Sequence, residues 1–273
     1  MALIDGLVLY YQLDEVSGAV LDSLSANDGT NTNATPNQAG KIGTAYVFDG
    51  TDDYITIDEA PGYAIQALIA DSTKSWACWI KIDTTSANPG RIFTVLEQNN
   101  TTRWGGGWAF GDKKLYGSYS TPGHGRLKST ADYDSSDGWI HVAFTQNGSA
   151  VKLYINGSED TTANDATTDT VVVDRESLIG GIRQTDIFVE DSWLGTIDEF
   201  GIWDKELSSA EVTELYNGGD GISYPFGAVG TNTQINIGDT WKEIPAIQIN
   251  IGDVWKAVEG MQLNIGDVWK EVF

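Results

Sequence analysis

The 273-residue chain holds one cysteine, Cys78, which excludes an intramolecular disulfide and any cysteine-based zinc cluster. Positive charge is also scarce: 16 Lys and Arg stand against 39 Asp and Glu, for a net charge of −23. Binding to phosphate backbones or anionic lipid depends on clustered cations that release counterions, so nucleic-acid and membrane-surface roles are excluded. No apolar run approaches the roughly 20 residues that span a bilayer. The opening segment MALIDGLVLYYQLDE has no basic stretch, and Asp5, Gln12 and Asp14 interrupt its apolar residues, so it does not read as a signal peptide. Histidine is limited to His124 and His141, and no nucleophile elbow, phosphate loop or His-Glu-x-x-His pattern is present.

What is present points to β structure. Hydrophobic residues make up 41% and aromatics 11%, with ten Trp, enough for a sizeable core. Short apolar runs alternate with Asn/Asp/Gly/Ser/Thr clusters, which is an all-β pattern. Leu7, Leu9, Tyr11 and Leu13 share one face at period two, as do Trp76, Cys78, Ile80 and Ile82. Further strands are expected over 45–49, 54–57, 92–97, 107–110, 115–119, 139–145, 151–155, 177–180 and 195–203. Asn147-Gly148 and Asn156-Gly157 suit hairpin turns. So many short strands predict a two-sheet antiparallel sandwich or jelly roll. One helix is expected: Ser208 and Glu211 form a capping box, Val212, Leu215 and Tyr216 share a face, and Asn217-Gly218-Gly219 stops it. Residues 220–233 read as a linker.

Residues 234–273 are a repeat. QINIGDTWKEI at Gln234, QINIGDVWKAV at Gln248 and QLNIGDVWKEV at Gln262 recur with a period of 14 residues. Each unit reads as a β-hairpin with a Gly-Asp turn. A unit this small cannot bury its own face, so the units stack on each other or on copies from other chains. Ile237 with Trp241, Ile251 with Trp255 and Ile265 with Trp269 are the expected stacking residues, with Lys242, Lys256 and Lys270 on the opposite face. Homo-oligomerisation follows, with a trimeric β-prism as the first expectation; a small appendage folded in cis is the alternative.

Four ordered segments carry a family resemblance: GLVLYYQLDEVSGAVLDSLSANDGT, KIGTAYVFDGTDDYITI, DGWIHVAFTQNGSAVKLYINGS and LGTIDEFGIWDKELSSAEVTELYNGG. They resemble the successive signature segments of laminin G-like, concanavalin A-like jelly-roll domains. The resemblance implies such a domain over residues 1–219, two antiparallel sheets face to face, a concave face or loop rim that often holds glycans, and frequently one structural Ca²⁺. By that resemblance the ion is placed between Asp22, the backbone around Asn27, and Asp198. Loops rich in Asp and Asn supply the oxygens Ca²⁺ takes, although Asp22 and Asn27 equally suit turn capping through Asx hydrogen bonds. The shorter C-terminal repeats resemble Ile-Gly-Asp-x-Trp-Lys units of phage structural proteins and virion fibres.

Sugar binding calls for exposed rings beside hydrogen-bonding side chains. Arg103 and Trp104, followed by three glycines, are the first candidates, and Tyr119, His124, Arg126 and Tyr133 could complete a rim. Trp108 and Phe110 enter a strand, and His141 in WIHVAF is read as packing. Laminarinase-like glycosidases on this sandwich set two carboxyls on one face of a strand, about 5–5.5 Å apart when retaining. Here the acidic pairs Asp14-Glu15, Asp52-Asp53, Glu159-Asp160, Glu190-Asp191 and Asp198-Glu199 are adjacent, so on a regular strand they point to opposite faces. The reading is therefore a non-enzymatic phage virion protein, structural or adhesive, assembled in the host cytoplasm. Its expected partners are copies of itself, other virion proteins and a cell-surface glycan. A bacterial surface carbohydrate-binding module and a glycoside hydrolase are the competing readings.

Overall fold

Strand alternation builds two antiparallel sheets in the computed structural model, which describes residues 2–57, 65, 68, 70–83, 90–96, 103–109, 113–119, 125–167, 177–185 and 188–226, together with 233–236, 241–244, 248–251, 254–257, 262–265 and 268–271. The first sheet runs in the order Ser158–Ala163, Ala150–Ile155, Trp139–Asn147, Thr73–Ile82, Leu194–Trp203, Thr44–Asp49, Thr35–Ala39. Leu7–Tyr11 shares an edge of Leu194–Trp203 with Thr44–Asp49: Tyr11 pairs Phe200, whereas Tyr46 pairs Ile197. The second sheet runs Gly125–Lys128, Lys114–Tyr119, Arg103–Ala109, Arg91–Leu96, Ser177–Ile179, Tyr54–Ile57, Gly29–Thr32. The all-β sandwich expected from the sequence is thus the observed fold.

The core lies between the sheets. Trp76 stacks on Phe144 with centroids 6.4 Å apart, and Phe93 meets Phe200 at 5.0 Å. Two glycines make the close approach possible, because a Cβ on Gly117 would fall into the Phe144 ring and one on Gly106 into Trp76. Over the outer face of the first sheet lies the helix Ser209–Tyr216, capped by Ser208 and closed by Asn217 in the left-handed region, φ 47°. Its Val212 and Leu215 are buried, and Tyr216 stacks on Trp79 at 5.7 Å. Burial against the sheet is what holds a helix this short.

The chain divides into two units, Met1–Tyr224 and Pro225–Phe273. The first extends past the expected limit at Gly219, because Gln12 donates from its Nε2 to Ser223 Oγ at 2.7 Å and to the Tyr224 carbonyl at 2.9 Å. In the second unit each repeat holds one antiparallel pair of strands. The register alters the stacking reading: Trp241 pairs Asn236, Trp255 pairs Asn250 and Trp269 pairs Asn264, while Ile251 pairs Val254 and Ile265 pairs Val268. Strand alternation therefore sets Ile251 and Trp255, and likewise Ile265 and Trp269, at register positions of opposite faces. Ile237 lies outside the described residues.

Candidate binding site

The glycan candidates fall on or beside three adjacent strands of the second sheet, but the two faces divide them. Trp104, expected to be hard to bury, is 1% exposed and packs edge-on against Phe93 at 5.5 Å, with the Lys74 ammonium 5.8 Å from its ring. Period two carries it into the core, because the glycines that follow it continue the strand instead of forming a loop. Tyr119 is also buried, stacked on Phe144 at 6.2 Å, and donates its hydroxyl to Asp165 at 2.8 Å. Burial, then the Asp165 carboxylate, pushes that phenol up to about 12. Tyr133 is half-buried, and its carbonyl accepts from Trp108 Nε1 at 3.2 Å. His124 and the Arg103 side chain lie outside the described residues. Among the described candidates only Arg126 keeps the expected exposure. It lies 5.0 Å over the ring of buried Tyr116, whose hydroxyl accepts from Arg91 at 2.5 Å, and Arg91 in turn pairs with Asp191 at 3.0 Å.

The residues expected to hold Ca²⁺ do not converge as one ligand set. Asp22 Oδ1 accepts from the amides of Tyr10 and Leu24 at 3.0 and 3.2 Å, and Oδ2 from Ala26 and Asn27 at 3.2 and 3.1 Å. Four donors on two oxygens leave this carboxylate no lone pair for a metal, and they correspond to the turn-capping reading. The Asn27 carbonyl accepts from the Tyr11 hydroxyl. Asp198 faces another loop, where its Oδ2 accepts from Lys41 and Ile42 amides at 2.7 and 3.0 Å. Asp49, Asp52 and Asp53 cluster in the turn after Thr44–Asp49, where Asp49 and Asp53 accept local amides, as turn chemistry requires.

Beside the Asp22 loop opens a cavity of about 480 Å³, lined by Gln12, Asp14, Glu15, Leu21, Asp22, Ser23, Ser25 and Asp28. Its volume falls within the range of small-ligand sites. Backbone amides fix three of its carboxylates: Asp14 accepts from the Thr44 amide at 2.6 Å, Glu15 Oε1 from Leu21 at 2.8 Å and Asp28 Oδ1 from Asp22 at 2.9 Å. Each of these bonds uses one carboxylate oxygen. Leu21 is 56% exposed and adds an apolar wall. Fixed acceptors, two serine hydroxyls, an amide and one apolar surface suit a polyol that donates hydroxyl protons and presents a C–H face.

The sequence reading reached the Asp22 loop but missed this cavity, because its lining comes from the segment after the first strand as well. The run Gln12, Asp14, Glu15 followed by Ser23, Ser25 and Asp28 was the available signal, a density of short polar side chains on both sides of one turn. The parity argument on acidic pairs also fails at Asp198-Glu199. Register slips there, Asp198 opposite Trp79 but Gly201 opposite Ala77, and Glu199 adopts φ 51°. The extra residue of this β-bulge turns both carboxylates away from the core, while Ile197 and Phe200 on either side enter it.

No curated protein matches the chain. Among solved structures, domain 4 of the GH43 extracellular arabinanase AbnA from Geobacillus stearothermophilus, in complex with arabinotriose, has a TM-score of 0.57 at 22% identity, covering 77% of this chain and 98% of that one. The botulinum neurotoxin serotype D binding domain gives 0.57 at 22%, covering 79% of this chain and 52% of its own. The Trypanosoma rangeli sialidase gives 0.58 at 15%, covering 80% and 33%. The chain thus spans about half or less of the toxin and sialidase chains, and at these identities the likeness is one of fold. Residues 49–213, well over half of the sequence, match the family itself, and the chain belongs to the concanavalin A-like lectin/glucanases superfamily.

Proposed function

We propose that the first unit is a non-enzymatic glycan-binding domain and that the cavity beside the Asp22 loop is its site. The observation that carries this reading is the lining: oriented carboxylates, serines and Gln12 around an exposed leucine, in a volume that admits a sugar. The arabinotriose held by the arabinanase domain and the N-acetylneuraminic acid held by a botulinum serotype D domain support saccharide binding on this fold. The three hairpin repeats, which resemble units of phage structural proteins, support display of several copies on a virion, where weak sugar contacts gain from multivalency.

Affinity electrophoresis against a panel of neutral and acidic polysaccharides tests the site. Leu21→Arg places a bulky side chain at an exposed wall without touching the core, and about tenfold weaker retention is expected. Asp28→Asn should weaken retention less. Retention unchanged by L21R places binding elsewhere, and no retention on any polysaccharide removes the proposal. New reducing ends in the same incubations would make the protein a hydrolase.

A further inference from the structure

The strand pairs of the second unit divide their residues between two faces of different chemistry. Residues directly opposite in an antiparallel pair lie on one face, and neighbours along a strand alternate. Trp241, opposite Asn236, therefore shares a face with Gln234 and Glu243. Trp255, opposite Asn250, shares one with Gln248 and Ala257, and Trp269, opposite Asn264, shares one with Gln262 and Glu271. The other face takes Ile235 and Ile244 in the first pair, Ile249, Ile251 and Val254 in the second, and Leu263, Ile265 and Val268 in the third, each time with one lysine. Every unit thus sets one tryptophan and two carboxamides on the face opposite its aliphatic residues.

Packing favours the aliphatic face. Burying the other would take two carboxamides per unit out of water, at a cost unless each found a hydrogen-bond partner. The residue types on that face are those a sugar requires. An indole offers an apolar surface to the C–H side of a pyranose, and a carboxamide both donates and accepts, as a hydroxyl does. Among the described residues no lysine or arginine falls on the tryptophan face, and two of its three copies carry a glutamate. A polyanion would find no counter-charge there, which sets aside phosphate-bearing polymers and acidic glycans.

We infer that the second unit carries three like binding platforms for a neutral polysaccharide, built on Trp241, Trp255 and Trp269, each with the Asn and Gln of its own strand pair. One ring with two carboxamides is a weak contact. A polymer of repeating sugars meets the three platforms together and gains from their being joined in one chain, which a monosaccharide does not. These platforms lie outside the first unit and do not depend on the cavity beside the Asp22 loop. The aliphatic faces remain for packing between units or chains, so binding and assembly use opposite sides of the same strands.

Affinity electrophoresis of the full chain through gels carrying a neutral glucan, a mannan, a galactan or a polyuronate tests the inference. Every protein in the series carries Leu21→Arg, so that the cavity of the first unit and the platforms are read apart. Retardation is expected in a neutral gel. Replacing Trp241, Trp255 and Trp269 together by Ala should weaken it about tenfold or more, with single replacements in between. Asn236→Ala, Asn250→Ala and Asn264→Ala together leave the three rings in place and should also weaken it, at a mass unchanged by light scattering. The inference is overturned by no retardation in any neutral gel, by retardation confined to the polyuronate, or by retardation that survives the Asn replacements. A loss of retardation that comes only with a loss of mass overturns it too, because the tryptophan face then packs between chains.

Discussion

His141 is buried between Trp79 and Tyr216, with centroids 5.2 and 6.2 Å away, and its Nδ1 has no partner. Burial alone depresses its pKa to about 3. The unfolded chain binds this proton near pH 6.5 and the folded one does not, so stability is full above pH 6.5 and falls as pH drops toward 3. Urea unfolding between pH 4 and 7 should show this loss, up to about 1.4 kcal/mol per pH unit for one group. His141→Phe, which keeps the ring contacts, should flatten the slope over that window. An unchanged slope would mean that His141 accepts a proton in the folded state. The packing role of His141 was legible only through the resemblance of WIHVAF to a family strand, because period two sets His141 opposite the core face of Ile140, Val142 and Phe144, and it is Trp79 and Tyr216 that cover it. Trp104 was misread because its flanking glycines looked like a loop, and only the neighbouring strands show that they continue the sheet.

At the scale of elements, the helix was the clearest signal in the sequence, since its caps are local chemistry. Ser208 Oγ accepts from the Glu211 amide at 3.3 Å, and Glu211 Oε2 accepts from the Ser208 amide at 2.8 Å, the reciprocal pair read from spacing alone. Ser208→Ala should cost about 0.5–2 kcal/mol, seen as a lower urea midpoint at unchanged m-value. A loss below that range would mean that packing of Val212 and Leu215 holds the helix without the cap. Six strands of the first unit escaped the sequence reading: Gly29–Thr32, Thr35–Ala39, Gly125–Lys128, Ser158–Ala163 and the pair Ile182–Thr185 and Phe188–Glu190. The first four are terminal in their sheets and the last two form a sheet of their own, so they lack the two-sided burial of a central strand, and Pro36 is tolerated on such an edge. The bulge at Asp198-Glu199 escaped for a different reason. One inserted residue reverses face parity, and nothing within LGTIDEFGIW marks where a strand changes neighbours.

For the whole molecule, the hairpins of the second unit raise the question of what covers them. An isolated two-stranded hairpin is marginal in water, and three copies of one unit in a single chain repeat that deficit. Association between chains would resolve it, and light scattering of the full chain should then give a multiple of the 29.5 kDa protomer, a trimer on the sequence reading. A chain stopped after Tyr224 should be monomeric with an unaltered melting temperature. The stop belongs there and not at Gly219, because removing residues 220–224 strips Gln12 and Tyr10 of contacts with Ser223 and Tyr224. Each chain would bring a charge of −23 to an assembly, so like-charge repulsion opposes association, and added salt, which screens it, should shift the full chain toward the oligomer. A monomer at all ionic strengths would refute assembly and leave the hairpins as an appendage folded in cis. An oligomer that persists after truncation would move the interface to the sandwich itself.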